Sequence, residues 1–599
     1  MAGVTSLIAL GCAHAAPTAT NLTGRNVIIF VADGLRYDSV TPETGPTFLK
    51  VRHEGVDFTS SHSAYPTLTT VNAAVIATGH MPGDTGNYAN SFYTGFPVKC
   101  ADDAPLAFVE DNCILRDIKS HFPNDYIAQT TLLEAAHKAG INTVLVGKKG
   151  PLAIQYLPAL DSKNDTVEGP VGIFIDEATN KSPHSPSING ALADDIKKAT
   201  GLAAPADVST PNLAQQAYQQ NAVTQVLLPR LKQAGKPFAM LYWSRDPDAT
   251  QHGAADSEGK LVPGINSTSD RSAIYNADRD LKGILDALKF QGLDGNTDVI
   301  VVADHGFSTI GKGIPSADGD IKNSTLPSGF LAVDVAGWLG GKIFDPMRAN
   351  AEVDLQSCEH PTGYAIIGDN AEKPQAILVS NGNTEFIYIP EVPNRHAIAS
   401  KLIAKLAGAD YTGGLFINDA VIDGKPGDFG GAVPMSKINM IGSSKVPQPT
   451  IVLALRSFAA KGCTLGELLC AVELSDTSLA TGHGNHGSFS RADTRNFMAA
   501  IGPDFRAGAK IASPVGNSDV APTAAKLLGI SLTGPGTLAG RVWDEALVNG
   551  KPVKTEQETV TSPKADNGLQ TVVKVQKVGT TRYLDVGGVP GRVVGLPAE

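Results

Sequence analysis

Asn26-Val27-Ile28-Ile29-Phe30-Val31-Ala32-Asp33-Gly34 is the stretch whose reading decides the fold. Its apolar run is unbroken rather than alternating. That pattern marks a strand covered on both faces, as parallel strands in α/β proteins are. The run stops at Asp-Gly, which places a carboxylate at the strand's C-terminal end. Three more runs of this kind follow. Residues 143–146 lead into Gly147-Lys148-Lys149, residues 237–243 precede Arg245-Asp246-Pro247-Asp248, and residues 298–303 end at Asp304-His305. Helical patterns separate them at 130–139, 212–233 and 273–290. Strand and helix alternating on this scale predict a doubly wound, mostly parallel sheet. Right-handed crossovers then bring the strand ends to one edge, where such sheets hold their ligands.

Composition narrows the class. The chain has 599 residues, 42% hydrophobic and 18% charged, which suits a large core and excludes a disordered chain. Lys and Arg number 49 against 60 Asp and Glu, a net charge of −11. A chain this acidic, with no basic arm, is not built to coat nucleic acid or an anionic membrane, although metal ions can still make one pocket positive. The apolar run at 3–16 is too short to span a bilayer. Together with Ala13-His14-Ala15 it predicts a signal peptide over 1–15 and a secreted or periplasmic protein, although no Lys or Arg precedes Arg25. Cys12, after Leu10-Gly11, resembles a bacterial lipoprotein box and offers a lipid anchor. No other stretch is a transmembrane candidate. Cys100/Cys113 and Cys463/Cys470 are close pairs suited to local disulfides, which leaves Cys358 over.

The texture changes after His305. A catalytic core is expected over 16–305 and 481–549, interrupted by an α+β insertion at 306–480. Within the insertion, strands are expected at 385–389 and 414–418 and a helix at 394–407. A small β-rich tail is expected over 550–599, where apolar and polar residues alternate at 570–578 and 581–586.

The acids and imidazoles just past the strands carry the chemistry. Asp33 follows the first, Asp248 and His252 the third, Asp304 and His305 the fourth, and His486 stands in Gly484-Asn485-His486-Gly487. A single Asp after a strand is usually a turn or cap residue. The recurrence is what counts: three carboxylates and three imidazoles are a ligand set suited to Zn²⁺. Three carboxylates packed together without cations would repel one another, and two divalent ions remove that repulsion. A second element is Tyr65-Pro66-Thr67-Leu68-Thr69-Thr70-Val71-Asn72, followed by a small-residue helix at 73–78. A threonine at a helix start caps it, or serves as a nucleophile where the helix N-terminus favours an anion. Thr67, Thr69 and Thr70 compete for that role.

Residues 26–90 resemble the start of a nucleotide pyrophosphatase/phosphodiesterase (type I phosphodiesterase) of the alkaline phosphatase superfamily. The matching motifs are Val31-Ala32-Asp33-Gly34, Tyr65-Pro66-Thr67-Leu68-Thr69, Thr78-Gly79 and Gly86-Asn87-Tyr88-Ala89-Asn90. Asp248-Ala249-Thr250-Gln251-His252, Ala303-Asp304-His305-Gly306 and Gly484-Asn485-His486-Gly487 continue the pattern in family order, with His483 the lesser alternative for the last ligand. The resemblance spans 26–305 and 479–528, is weak through the insertion, and is absent in the tail. It implies an alkaline phosphatase-like fold and a phosphodiester or pyrophosphate hydrolase with two Zn²⁺ per chain. One ion falls to Asp248, His252 and His486, the other to Asp33, Asp304, His305 and the Thr69 hydroxyl. Thr69 becomes the nucleophile that forms a phosphothreonine, and Asn90 the group that orients the phosphate. The implied partner is a small phosphorylated substrate, a nucleotide or another phosphoester.

The sequence departs from the family in one place that bears on substrate. The diesterases continue the nucleophile motif with Phe-Pro-Asn-His, where this chain has Thr70-Val71-Asn72-Ala73, closer to phosphonoacetate hydrolases. Lys148 and Lys149 stand where related monoesterases and phosphonoacetate hydrolases carry basic residues that grip substrate. A phosphomonoesterase or phosphonoacetate-hydrolase-like enzyme is therefore the alternative. An inactive metal-binding protein on the same scaffold is the reading from another class. The nucleophile motif of sulfatases is not found at Thr69.

Overall fold

The strand Asn26–Ala32 lies in the middle of an eight-stranded sheet, buried along its whole length. The computed structural model describes residues 22–160, 172–315, 325–357, 360–361 and 363–598. The expected signal peptide, Cys12 and Cys358 lie outside them. Thr297–Val302 and Phe238–Ser244 flank the central strand in parallel, and Asn142–Gly147 and Ile173–Asp176 extend the parallel set on one side. On the other side Met498–Ile501 runs antiparallel to Thr297–Val302 and leads to the short strands Val56–Phe58 and Ala509–Ile511. The sheet is doubly wound and mostly parallel. One face packs on the helices Thr69–Thr78, Leu132–Lys138 and Val520–Leu528. The other packs on the 213–234 helical segment and on Thr268–Phe290. The 213–234 segment holds a π-helical stretch, Ala222–Leu227, just before Pro229, whose ring cannot donate a backbone hydrogen bond.

A second eight-stranded sheet, mostly antiparallel, is built from residues 342–455. Its core faces the helices Phe330–Leu339 and Arg395–Gly408. A four-stranded sheet joins Ser457–Ala459, Ala471–Leu474, Ser308–Gly311 and Gly484–Asn485. This small sheet draws strands from both sides of the expected boundary at 480. It ties the chain after His305 to the chain before His486.

The tail forms a three-stranded antiparallel sheet, Thr555–Thr561, Val572–Val578 and Thr581–Gly588. Val573, Val575 and Leu584 join the main core, so the tail packs into the body of the molecule. Disulfides link Cys100 to Cys113 and Cys463 to Cys470.

Candidate active site

The C-terminal ends of the central strands deliver the acids to one place. The Asp33 amide donates to Ser244 O (3.1 Å), and the Asp248 amide donates to Asp33 O (3.0 Å). Gly34 follows at φ +68°, and a Cβ there would lie 2.8 Å from the Phe307 ring, so the turn needs glycine. The Gly34 amide donates to Asp304 Oδ1 (3.0 Å), which joins the first strand's turn to the fourth's. Asp33, Asp304 and His305 are fully buried, and Asp248 and His486 nearly so.

The three imidazoles are fixed in one manner. His252 Nδ1 lies 2.9 Å from Gly484 O, His305 Nδ1 2.8 Å from Gly306 O, and His486 Nδ1 2.9 Å from Thr67 O. A ring whose Nδ1–H is given to a backbone carbonyl presents Nε2 as a lone pair, the usual arrangement of a metal ligand. His252 Nε2 and His486 Nε2 lie 3.4 and 3.5 Å from Asp248 Oδ1. His305 Nε2 lies 3.1 Å from Asp304 Oδ2 and 3.7 Å from Asp33 Oδ1. Two groups with ligand atoms all within 4.8 Å result: Asp248, His252 and His486, and Asp33, Asp248 and His305.

Charge in this cluster is unbalanced. Asp33 Oδ1, Asp248 Oδ1 and Asp304 Oδ2 are buried with no hydrogen-bond partner. Burial first, then the neighbouring Asp248 and Asp304, push the Asp33 carboxyl well above the usual range. Burial also works against the Asp248 carboxylate, but Lys148, His252 and His486 outweigh it and hold Asp248 well down. Burial opposes the His305 imidazolium, yet Asp304, Asp33 and Asp248 raise it to about 9. An excess of buried negative charge with free oxygen lone pairs fits divalent cations.

Thr69 opens the helix Thr69–Thr78, so the positive end of that helix dipole lies at its hydroxyl. The three threonines differ in what they touch. Thr67 Oγ1 donates to Ser488 O (2.7 Å) and accepts from the Gly487 amide (3.1 Å). Thr70 Oγ1 donates toward Ala89 O (3.1 Å) and Asn90 Oδ1 (3.0 Å). Thr69 Oγ1 instead lies 3.1 Å from His305 Nε2, inside the ligand cluster. Asn90 Oδ1 also accepts from the Thr70 amide (2.9 Å), which turns the Asn90 amide nitrogen toward Glu110 (3.4 Å).

Residues 27–324 match the family described as type I phosphodiesterase / nucleotide pyrophosphatase. The chain belongs to that family. It is a hydrolase of phosphoric ester bonds on a doubly wound α/β fold. Two solved structures of murine ectonucleotide pyrophosphatase/phosphodiesterase 5 are similar to it. One, an inactive variant in complex with AMP, shares 15% identity, and the other shares 16%. Each similarity covers 88% of this chain and 100% of the murine chain, at a TM-score of 0.48. No curated protein sequence matches the chain.

The two lysines part company. Lys148 is buried, with Nζ 3.0 Å from Asp33 Oδ2, 3.3 Å from Asp248 Oδ2 and 3.4 Å from Glu110 Oε1. Burial opposes its charge, but those three acids hold it well above the usual lysine range. Lys149 does not enter the cluster: it pairs with Asp111 (3.1 Å) and is one-third exposed. Successive residues leaving a strand point to opposite sides, so only one of the pair can face the site. His483 also stays outside, with Nε2 3.9 Å from Glu258. Sequence reasoning missed Glu110 and Trp243, whose Nε1 donates to Asp33 Oδ2 (2.8 Å). Trp243 closes the apolar run of a strand that already supplies Asp248, and that was its only signal.

Proposed function

We propose that the chain hydrolyses phosphodiester or pyrophosphate bonds of a small phosphorylated substrate, a nucleotide or a related phosphoester, through a phosphothreonine at Thr69. One observation carries the reading. Three buried carboxylates, each with a partnerless oxygen, face three imidazoles whose Nδ1 atoms are committed to backbone carbonyls, all around one threonine hydroxyl. The donors suit two zinc ions: Asp248, His252 and His486 would hold one, and Asp33, Asp304 and His305 the other, with Thr69 Oγ1 beside it. When bound, the ions supply Lewis-acid neutralisation of the charge on the attacking and leaving oxygens.

The chain's own residues do the rest. Thr69 Oγ1 attacks phosphorus, the bond to the leaving oxygen breaks with its electron pair, and water later cleaves the phosphothreonine and restores the hydroxyl. The helix dipole favours negative charge at Oγ1. Asn90, turned by Thr70, donates its amide to a non-bridging oxygen as charge builds there. The buried cluster limits the access of bulk water, so these contacts act in a low dielectric.

Lys148 favours a second reading. A fixed ammonium among the site acids suits a dianionic monoester, or the carboxylate of phosphonoacetate, better than a monoanionic diester. Parallel rates on bis-p-nitrophenyl phosphate, p-nitrophenyl dTMP, p-nitrophenyl phosphate and phosphonoacetate separate the two. The diesters are expected to be fastest, with activity removed by a chelator and restored by zinc. A faster monoester or phosphonate transfers the assignment to the second reading, and indifference to chelation contradicts the metal assignment.

For location, a secreted or periplasmic protein is proposed. Both disulfides suit an oxidising compartment. No helix among the described residues is long and apolar enough to cross a membrane.

A further inference from the structure

Glu473 is the one acid in the strand Ala471–Leu474, at the centre of the small sheet that links the two ligand loops. It is fully buried, and neither carboxylate oxygen has a hydrogen-bond partner of ordinary geometry. No basic side chain pairs with it among the described residues. Its neighbours are Asp493 and Ser488.

Asp493, also fully buried, touches three of the segments that build the site. Its Oδ1 accepts from Ser308 Oγ (2.6 Å), three residues after His305. Its Oδ2 accepts from the Ser488 amide (2.9 Å), two residues after His486. Its backbone oxygen accepts from the Gly306 amide (2.7 Å) and from Ser63 Oγ (3.0 Å), on the approach to Thr69. A Cβ on Gly306 would lie 2.0 Å from Ala492 O, so this contact is close on both sides.

Two adjacent carboxyl groups in a dry interior, with no cation between them, do not both ionise. Burial raises the Asp493 carboxyl too, but the hydrogen bonds from Ser308 and Ser488 work against that and make it the better anion of the two. Glu473 has only the Ser488 hydroxyl working in favour of its charge, and burial followed by Asp493 outweighs that and pushes it well above the usual range. Each Asp493 oxygen can accept twice, so after Ser308 and Ser488 a lone pair is left for an acid O–H on Glu473.

We propose that Glu473 is a positioning residue of the phosphoryl site: as a neutral carboxylic acid it donates to the Asp493 carboxylate, and this pair sets the spacing between the His305 loop, the His486 loop and the approach to Thr69. The inference rests on the metal-dependent hydrolase reading above. The pair touches neither substrate nor ligand atoms. It acts through the frame in which the imidazole Nε2 atoms converge, where small misplacements cost rate.

The test compares Glu473→Gln, Glu473→Leu and Ser308→Ala with the wild-type chain, reading kcat, KM, thermal midpoint and zinc affinity by chelator competition. The glutamine amide can donate to Asp493 as the acid does. It is expected to keep kcat and zinc affinity within about 3-fold of wild type. The leucine removes the donor and is expected to lower kcat by roughly 10- to 100-fold and to weaken zinc retention, with KM changed by less than about 3-fold. Ser308→Ala removes one support of Asp493 and is expected to fall between them. If the leucine variant does not fold, the other two decide. A glutamine variant as impaired as the leucine variant overturns the acid–carboxylate pair, and so does full kcat and zinc affinity in Glu473→Leu. In those cases zinc-dependent turnover by the wild-type chain still stands. A wild-type chain indifferent to chelation sinks the hydrolase reading and this inference with it.

Discussion

Two buried charged regions of the molecule face the same physical cost and meet it differently. Where the tail docks, every charge is matched. Asp519 Oδ2 accepts from Tyr583 OH, Trp543 Nε1 and the Gly516 amide, while Oδ1 accepts from the Arg541 amide. Arg541 grips Glu545 with both terminal nitrogens (2.7 and 2.8 Å) and gives Nε to Tyr583 OH. At the strand ends, the carboxylates of Asp33, Asp248 and Asp304 each keep an oxygen without a partner. A satisfied network holds two parts of a fold together, whereas an unsatisfied one awaits something that arrives later. In these two clusters the difference, together with the imidazoles that converge on one of them, separates an anchor from a site.

The comparison breaks most sharply at Thr69. Thr69→Ala is expected to lower turnover by at least about 10³-fold, with the thermal midpoint nearly unchanged, since among the described residues the hydroxyl supports no neighbour other than the ligand cluster. Steady-state rates and a melting curve check it. Turnover that survives moves the nucleophile elsewhere, and a collapsed midpoint would make Thr69 part of an anchor.

Asp585 tests the anchor. Its Oδ1 meets Arg491 Nε (2.9 Å) and His62 Nε2 (3.1 Å). Burial would raise its pKa, but His62 and Arg491 overcome that and hold it down at about 2. A carboxyl lowered in the folded state stabilises the fold above its unfolded pKa, near 4, and this contribution fades as pH falls from about 4 through 2. Asp585→Asn is expected to cost about 2 kcal/mol at neutral pH. It should also flatten the acid-induced loss in that window, as read by denaturant titration, with the turnover of folded protein little changed. The smallest effects belong to residues that the structure leaves outside the site. Lys149→Ala and His483→Ala are each expected to change turnover by less than about 3-fold. A large loss in either would redraw the boundary of the cluster.

Much of this was legible in the sequence, for reasons that differ by residue. Asp33, Asp248 and Asp304 each close an apolar run, and a run buried on both faces ends at the edge where ligands sit. Lys148 and Lys149 were indistinguishable by type, and only the side on which each leaves the strand separates them. Residue type left Thr67, Thr69 and Thr70 alike and the family resemblance singled out Thr69; that Thr67 and Thr70 are occupied by Ser488, Gly487, Ala89 and Asn90 has no local signal. Glu473 was hidden altogether. A lone acid in Cys470-Ala471-Val472-Glu473-Leu474 reads as the solvent face of a strand, and nothing local reveals that Asp493 lies against it.

The proposed chemistry requires the partnerless oxygens at the strand ends to hold cations. Metal content per chain after exhaustive dialysis, measured by elemental analysis for the wild-type protein and for Asp248→Ala, tests it most directly. Asp248 is assigned to one zinc but stands in both groups of converging donors, so its loss reaches both. About two zinc ions per wild-type chain, and loss of most of both in Asp248→Ala, is the predicted result. A wild-type chain that binds no divalent metal, or a variant that keeps the full complement, would contradict it.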